Sequence, residues 1–97
     1  MLIRIVRMHF KPESVDSFLS VFNENKTAIR NCAGCTHLQL LTDLHNPTTY
    51  TTLSHWADEA SLNNYRDSQL FKHVWQQVKV HFSKRTEAFS LQQFIEL

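Results

Sequence analysis

The feature that most constrains this chain is the order in which its apolar residues change period. From Leu2 to Phe10 (LIRIVRMHF) they alternate as in a strand, with Val6, Met8 and Phe10 on one side and Ile5, Arg7 and His9 on the other. Pro12 suits the first turn of a helix, and the period then lengthens: Val15, Phe18, Leu19, Phe22 and Ile29 fall at helical spacing. Gly34 supplies a left-handed helix stop. Residues 36–42 (THLQLLT) and 49–56 (TYTTLSHW) predict two more strands, joined as a hairpin through Asp43, Asn46 and Pro47. Asp58 predicts the cap of a short helix bearing Leu62 and Tyr65. Asp67 or Ser68 predicts the cap of a longer one bearing Phe71, Val74, Trp75, Val78 and Phe82. Residues 87–95 (EAFSLQQFI) predict a fourth strand.

The resulting order, β-α-β-β-α-β within 97 residues, leaves room for a single domain spanning 1–97. It predicts an α+β, ferredoxin-like fold: a four-stranded antiparallel sheet with both helices on one face. The other face is left without a cover, yet each alternating set contains apolar residues such as Ile3, Ile5 and Leu41. A second copy is the expected cover, giving a homodimer whose two sheets face each other as an α/β barrel. Arg7, His9, His37 and Gln39 are then expected between the sheets, each in need of a hydrogen-bond partner.

Composition narrows function by exclusion. One glycine cannot build the GxGxxG or GxxxxGK[ST] loops that let a backbone approach phosphates, which excludes nucleotide, NAD and FAD sites of those designs. Ten Lys and Arg against nine Asp and Glu, scattered along the chain, form no basic stripe, so no nucleic-acid partner is expected. The start, MLIRIVR, is charged within four residues and matches neither a signal peptide nor a membrane span. A cytoplasmic protein with reduced cysteines and no membrane partner is the expectation. The six histidines form no HxxxH or HExxH pair, so no metal site is expected. His45, His73 and His81 are expected in solvent; His9, His37 and His55, on strands, are either hydrogen-bonded structural groups or candidate bases. Cys32-Ala33-Gly34-Cys35 is a lone CxxC that follows a helix instead of opening one, which favours packing at a helix stop over redox chemistry.

Several short stretches recur together in a recognisable order. They are Gly34-Cys35 before the second strand, Asn46-Pro47 in the hairpin and Ser54-His55-Trp56 ending the third strand. Tyr65-Arg66-Asp67-Ser68-Gln69-Leu70-Phe71 with Val74-Trp75, and Ala88-Phe89-Ser90, complete the set. This combination, which spans nearly the whole chain, resembles the antibiotic biosynthesis monooxygenase domain family of small dimeric α/β-barrel proteins. The resemblance implies one of several reactions: cofactor-free oxygenation of hydroxylated aromatic or quinol-like compounds, haem degradation, or isomerisation of a small metabolite. The haem-degrading branch needs an Asn in the first strand, a Trp nine residues after the strand-ending Trp, and an axial His ten further on. Here the first strand has no Asn, and Tyr65 and Trp75 occupy the other two positions.

For the oxygenase branch the resemblance implies a pocket between helices and sheet. Tyr65, Trp75 and His55 are its catalytic candidates; Trp56, Arg66, Phe71 and Met8 are its substrate-binding candidates. Molecular oxygen is the expected co-substrate, with no bound cofactor. The expected activity is monooxygenation of a small aromatic or quinol-like substrate; the alternatives are a non-catalytic dimeric module that binds a small hydrophobic molecule, and an isomerase. Phe71 and Trp75 also lie on a stripe that plain core packing produces, and Arg66 also suits a surface salt bridge.

Overall fold

In the computed structural model, which describes residues 1–97, the N-terminal strand β1 (Leu2–His9) lies inside the sheet, not at its edge. It pairs antiparallel with β3 (Thr49–Trp56) on one side and β4 (Glu87–Gln92) on the other. Strand β2 (Cys35–Thr42) adds outside β3, giving the order β2-β3-β1-β4 of a ferredoxin-like sheet. After a 3₁₀ turn at Pro12–Ser14, helix α1 (Val15–Arg30) packs with α2 (Glu59–Arg66) and α3 (Gln69–Lys79) on one face. The second helical segment is broken where its sequence predicts, because Ser68 stops one helix and starts the next. Its hydroxyl donates to the Tyr65 carbonyl (2.5 Å) and accepts from the Phe71 N–H (3.1 Å). Asp58 caps α2 by accepting from the Ser61 N–H at 2.8 Å.

Period-two alternation assigns the faces. Leu2, Arg4, Val6 and Met8 share the helix-covered side with Tyr50, Thr52, Ser54, Trp56 and Ala88. Burial there is concentrated in two clusters. One holds Met8, Phe10, Phe18, Tyr50 and Val78, with the Phe10 and Phe18 rings stacked at 4.1 Å; the other holds Cys35, Trp56 and Leu62.

Four boundaries differ from the sequence expectation. The last strand stops at Gln92 instead of residue 95, because its one partner, β1, runs out at the pair Leu2↔Gln92. At the other end β1 stops at His9, and Phe10 makes an isolated bridge to Phe82, which lies beyond the end of α3. Helix α1 ends at Asn31, whose N–H bonds back to Thr27, and Gly34 is not its stop. Gly34 instead sits at φ 85° in a tight turn closed by the Cys35 N–H on the Cys32 carbonyl (3.0 Å). The turn presses against the start of α2, where a Cβ on Gly34 would collide with the Ser61 side chain.

The opposite sheet face is open. Ile5 stands between Leu53 and Phe89, and Ile3 between His55 and Leu91; Leu41, Phe89 and Leu91 are 40%, 46% and 50% exposed. The polar residues expected there are in place, but two find partners within the chain. Buried His9 is held by Thr49 Oγ1 (3.2 Å) and Glu87 Oε1 (3.0 Å), and Arg7 lies 3.8 Å from Asp43. The His37 and His55 rings lie side by side at 4.8 Å. No helix is long and apolar enough to cross a membrane.

Candidate functional site

The two core clusters do not meet. Between them, roofed by the helices and floored by the sheet, is a cavity of about 700 Å³, within the range of about 300–1,000 Å³ typical of small-molecule sites. Met8, Phe18 and Val78 of the first cluster line it, as do Trp56 and Leu62 of the second. Its wall is a run of aromatic contacts that follows from local sequence. Trp56, the last helix-facing residue of β3, stacks on Tyr65 at 5.1 Å and 22°. Tyr65 meets Phe71 edge-on at 5.3 Å across the Ser68 elbow, and Phe71 lies parallel to Trp75, one helical turn on, at 5.9 Å and 9°.

The polar tips of these rings are not equivalent. The Trp56 indole N–H donates to Ser54 Oγ at 2.9 Å, so Trp56 is a satisfied, fully buried pillar. No hydrogen bond within the chain holds the Tyr65 hydroxyl, and Tyr65 lines the cavity. Burial, and secondarily the neighbouring Cys32 and Cys35, push the Tyr65 phenol well above its ordinary range near 10. It therefore stays protonated at neutral pH and is available as a hydrogen-bond donor.

Of the candidates taken from the sequence, Tyr65, Trp75, Trp56, Arg66, Phe71 and Met8 all line this one cavity. His55 does not: it is on the opposite face of the sheet beside His37, because consecutive residues of a strand point to opposite sides and Trp56 takes the inner one. The same alternation, followed from Met8 and Trp56, leads to lining residues the sequence reading passed over: Arg4, Thr52 and Ser54. Asn63, exposed midway along α2, and Asp67, exposed just past its end, complete the polar rim. Cys32 and Cys35 are free thiols, both pushed up mainly by burial, which makes them weak nucleophiles. No group of three or more His, Cys, Asp or Glu side chains is placed to hold a metal ion.

A family model described as antibiotic biosynthesis monooxygenase matches residues 1–77. The chain belongs to the antibiotic biosynthesis monooxygenase family. Among solved structures, a conserved protein from Methanosarcina mazei Go1 is 27% identical and superposes with a TM-score of 0.90, covering 97% of this chain and 94% of that one. A structure described as an antibiotic biosynthesis monooxygenase, 21% identical, gives a TM-score of 0.91 over 98% of this chain and 100% of its own. A Mycobacterium tuberculosis protein, 16% identical, gives 0.90 over 98% of this chain and 96% of its own. At such identities the last two likenesses establish the fold of this family member and no more. No match is found among curated proteins.

Proposed function

We propose that this family member is a cofactor-independent monooxygenase of the cytoplasm, acting as a homodimer on a small aromatic or quinol-like substrate with molecular oxygen. The observation that carries the reading is the aromatic-walled cavity lined by Tyr65, whose hydroxyl has no partner within the chain. A planar substrate stacks against Phe71 and Trp75 while its phenolic oxygen accepts from Tyr65. Asp67 is the one carboxylate lining the cavity and takes the phenolic proton. The electron-rich anion passes one electron to oxygen, and the substrate radical and superoxide join in a new C–O bond at a ring carbon that carries hydrogen. Loss of that hydrogen as a proton and cleavage of the O–O bond then leave a quinone and water. All four electrons that reduce oxygen come from the substrate, so the reaction balances without an external reductant.

Fourteen of the twenty lining residues are hydrophobic, which favours this reading over isomerisation of a polar metabolite. The exposed apolar residues of the open sheet face support the homodimer, and two free cysteines suit a reducing compartment. The test is oxygen uptake with 1-naphthol, naphthalenediols and anthrone, with the product identified. One oxygen consumed per quinone formed, falling about a hundredfold in Tyr65→Phe, is the expected result. Compounds that bind in the cavity yet consume no oxygen above the buffer rate would refute the oxygenase and leave a binding module.

A further inference from the structure

Arg4 occupies an unusual position. It lies on the helix-covered side of β1 between Leu2 and Val6, at a register that places it over the cavity floor, and its guanidinium is partly withdrawn from water. Although part of it still meets water, a guanidinium on the helix-covered face of a sheet is well placed to take a carboxylate partner. Here the only contacts of 4.0 Å or less between basic and carboxylate side chains are Arg7 with Asp43 and His9 with Glu87, both elsewhere. A single hydrogen bond, from Nη1 to Ser90 Oγ at 3.1 Å, holds Arg4 in place. Arg66, exposed in the last turn of α2, lines the same cavity from the opposite wall and has no carboxylate within 4.0 Å; even Asp67, next to it in the chain, does not pair with it. The two guanidiniums feel each other: Arg4 is shifted below its ordinary value by burial first and by the charge of Arg66 second. Two like charges beside an apolar chamber, each with unused planar donors, are arranged for an anion that comes from outside the chain.

We propose that Arg4 and Arg66 form an anion clamp and that the cavity takes an aromatic carboxylate. The ring system lies against Phe71 and Trp75, and the carboxylate bridges the two guanidiniums between sheet and helix. This rests on the reading of the cavity as an aromatic site and adds the charge and orientation of its occupant. A carboxylate fits better than a dianion, because Asp67 at the rim already offsets part of the positive charge. The clamp also fixes direction, since an occupant anchored at one end presents the same ring edge to Tyr65 on every encounter.

The test is isothermal titration calorimetry on the full chain at low salt with 2-naphthoate and with its neutral counterpart, 2-naphthamide. The expected result is binding of the carboxylate about tenfold or more tighter than the amide. In Arg4→Met and in Arg66→Gln the carboxylate loses more affinity than the amide, so that preference shrinks towards one, while far-ultraviolet circular dichroism shows that the variants are folded. Equal affinity for the two ligands in the wild type would overturn the clamp and leave the aromatic cavity standing. Failure of both ligands to bind would overturn the aromatic site, and the clamp with it. Tighter binding of 2-naphthyl phosphate than of 2-naphthoate would overturn the assignment to a carboxylate.

Discussion

Replacing Gly34 by alanine tests how the cavity roof is held in place. Two costs add. At φ 85° an L-residue pays for a left-handed backbone, about 1–2 kcal/mol. The new methyl also overlaps the Ser61 side chain at the start of α2, an overpacking of about 1–3 kcal/mol. The turn cannot simply retreat, because the Gly34 carbonyl accepts from the Ala57 N–H at 2.8 Å and so ties it to the end of β3. The total, about 2–5 kcal/mol, is large against the roughly 5–15 kcal/mol expected for a domain of this size, and corresponds to a fall in melting temperature of about 10–40 °C. Urea and thermal denaturation followed by far-ultraviolet circular dichroism measure it. In a Ser61→Gly background the steric part disappears, and Gly34→Ala should then cost only the backbone part. A loss below about 0.5 kcal/mol in the Ser61 background would refute both the strain and the close approach. Because α2 carries Tyr65 and Arg66, the same variant should weaken binding of aromatic ligands before it unfolds the sheet.

Other perturbations probe separate parts of the molecule. Ser68→Ala removes the cap of α3 and the bond to the Tyr65 carbonyl, and should cost about 1 kcal/mol in chemical denaturation; no loss would mean that the elbow is held by ring packing alone. The Glu87 carboxyl is held below its ordinary 4.5, chiefly by its hydrogen bond with His9. A depressed carboxyl stabilises the fold above its unfolded value and loses that contribution as pH falls through its folded one. Glu87→Gln should therefore flatten the stability profile below about pH 4.5, whereas an unchanged acid limb would contradict the contact. Phe89→Glu places a charge on the edge strand of the open sheet face, beside Ile5. Light scattering should then report 11.4 kDa for the variant and twice that for the wild type, and a wild-type monomer at micromolar concentration would remove the homodimer.

Much of this architecture was legible because local signals agree with one another. The third strand runs from Thr49 to Trp56 as its alternation predicts, and Asp58 and Ser68 cap the helices their positions announce. The misreadings have identifiable physical sources. Gly34 looks like a helix stop, since a left-handed residue after a helix is usually that, but Asn31 had already ended α1. His55 joined the candidates through its neighbours in the chain, although period two forbids it from sharing a face with Trp56. Arg4 escaped notice for a related reason: an arginine in an alternating strand reads as a solvent position, and only the covering helices reveal that its side is the inner one. The cavity itself has no signature in periodicity. Phe71 and Trp75 would repeat at the same spacing in a solid core, and whether they enclose space depends on where the Ser68 elbow and the Gly34 turn hold α2 and α3 above the sheet.

The central place of β1 has a kinetic consequence. The first strand of the fold must wait for both of its neighbours: Leu2 pairs with Trp56 on one side and with Gln92 on the other. Residues as far apart as 2 and 92 have to come together before the middle of the sheet is hydrogen-bonded, and each pairing closes a long loop before it yields any contact. Folding should therefore be slow for a chain of this length and occur in a single concerted step. In hydrogen exchange the amides of β1 should open only with the whole molecule, while those of the edge strand β2 exchange through smaller fluctuations. The floor of the cavity, with Arg4, Val6 and Met8 on it, is thus assembled late and is lost only when everything else is lost.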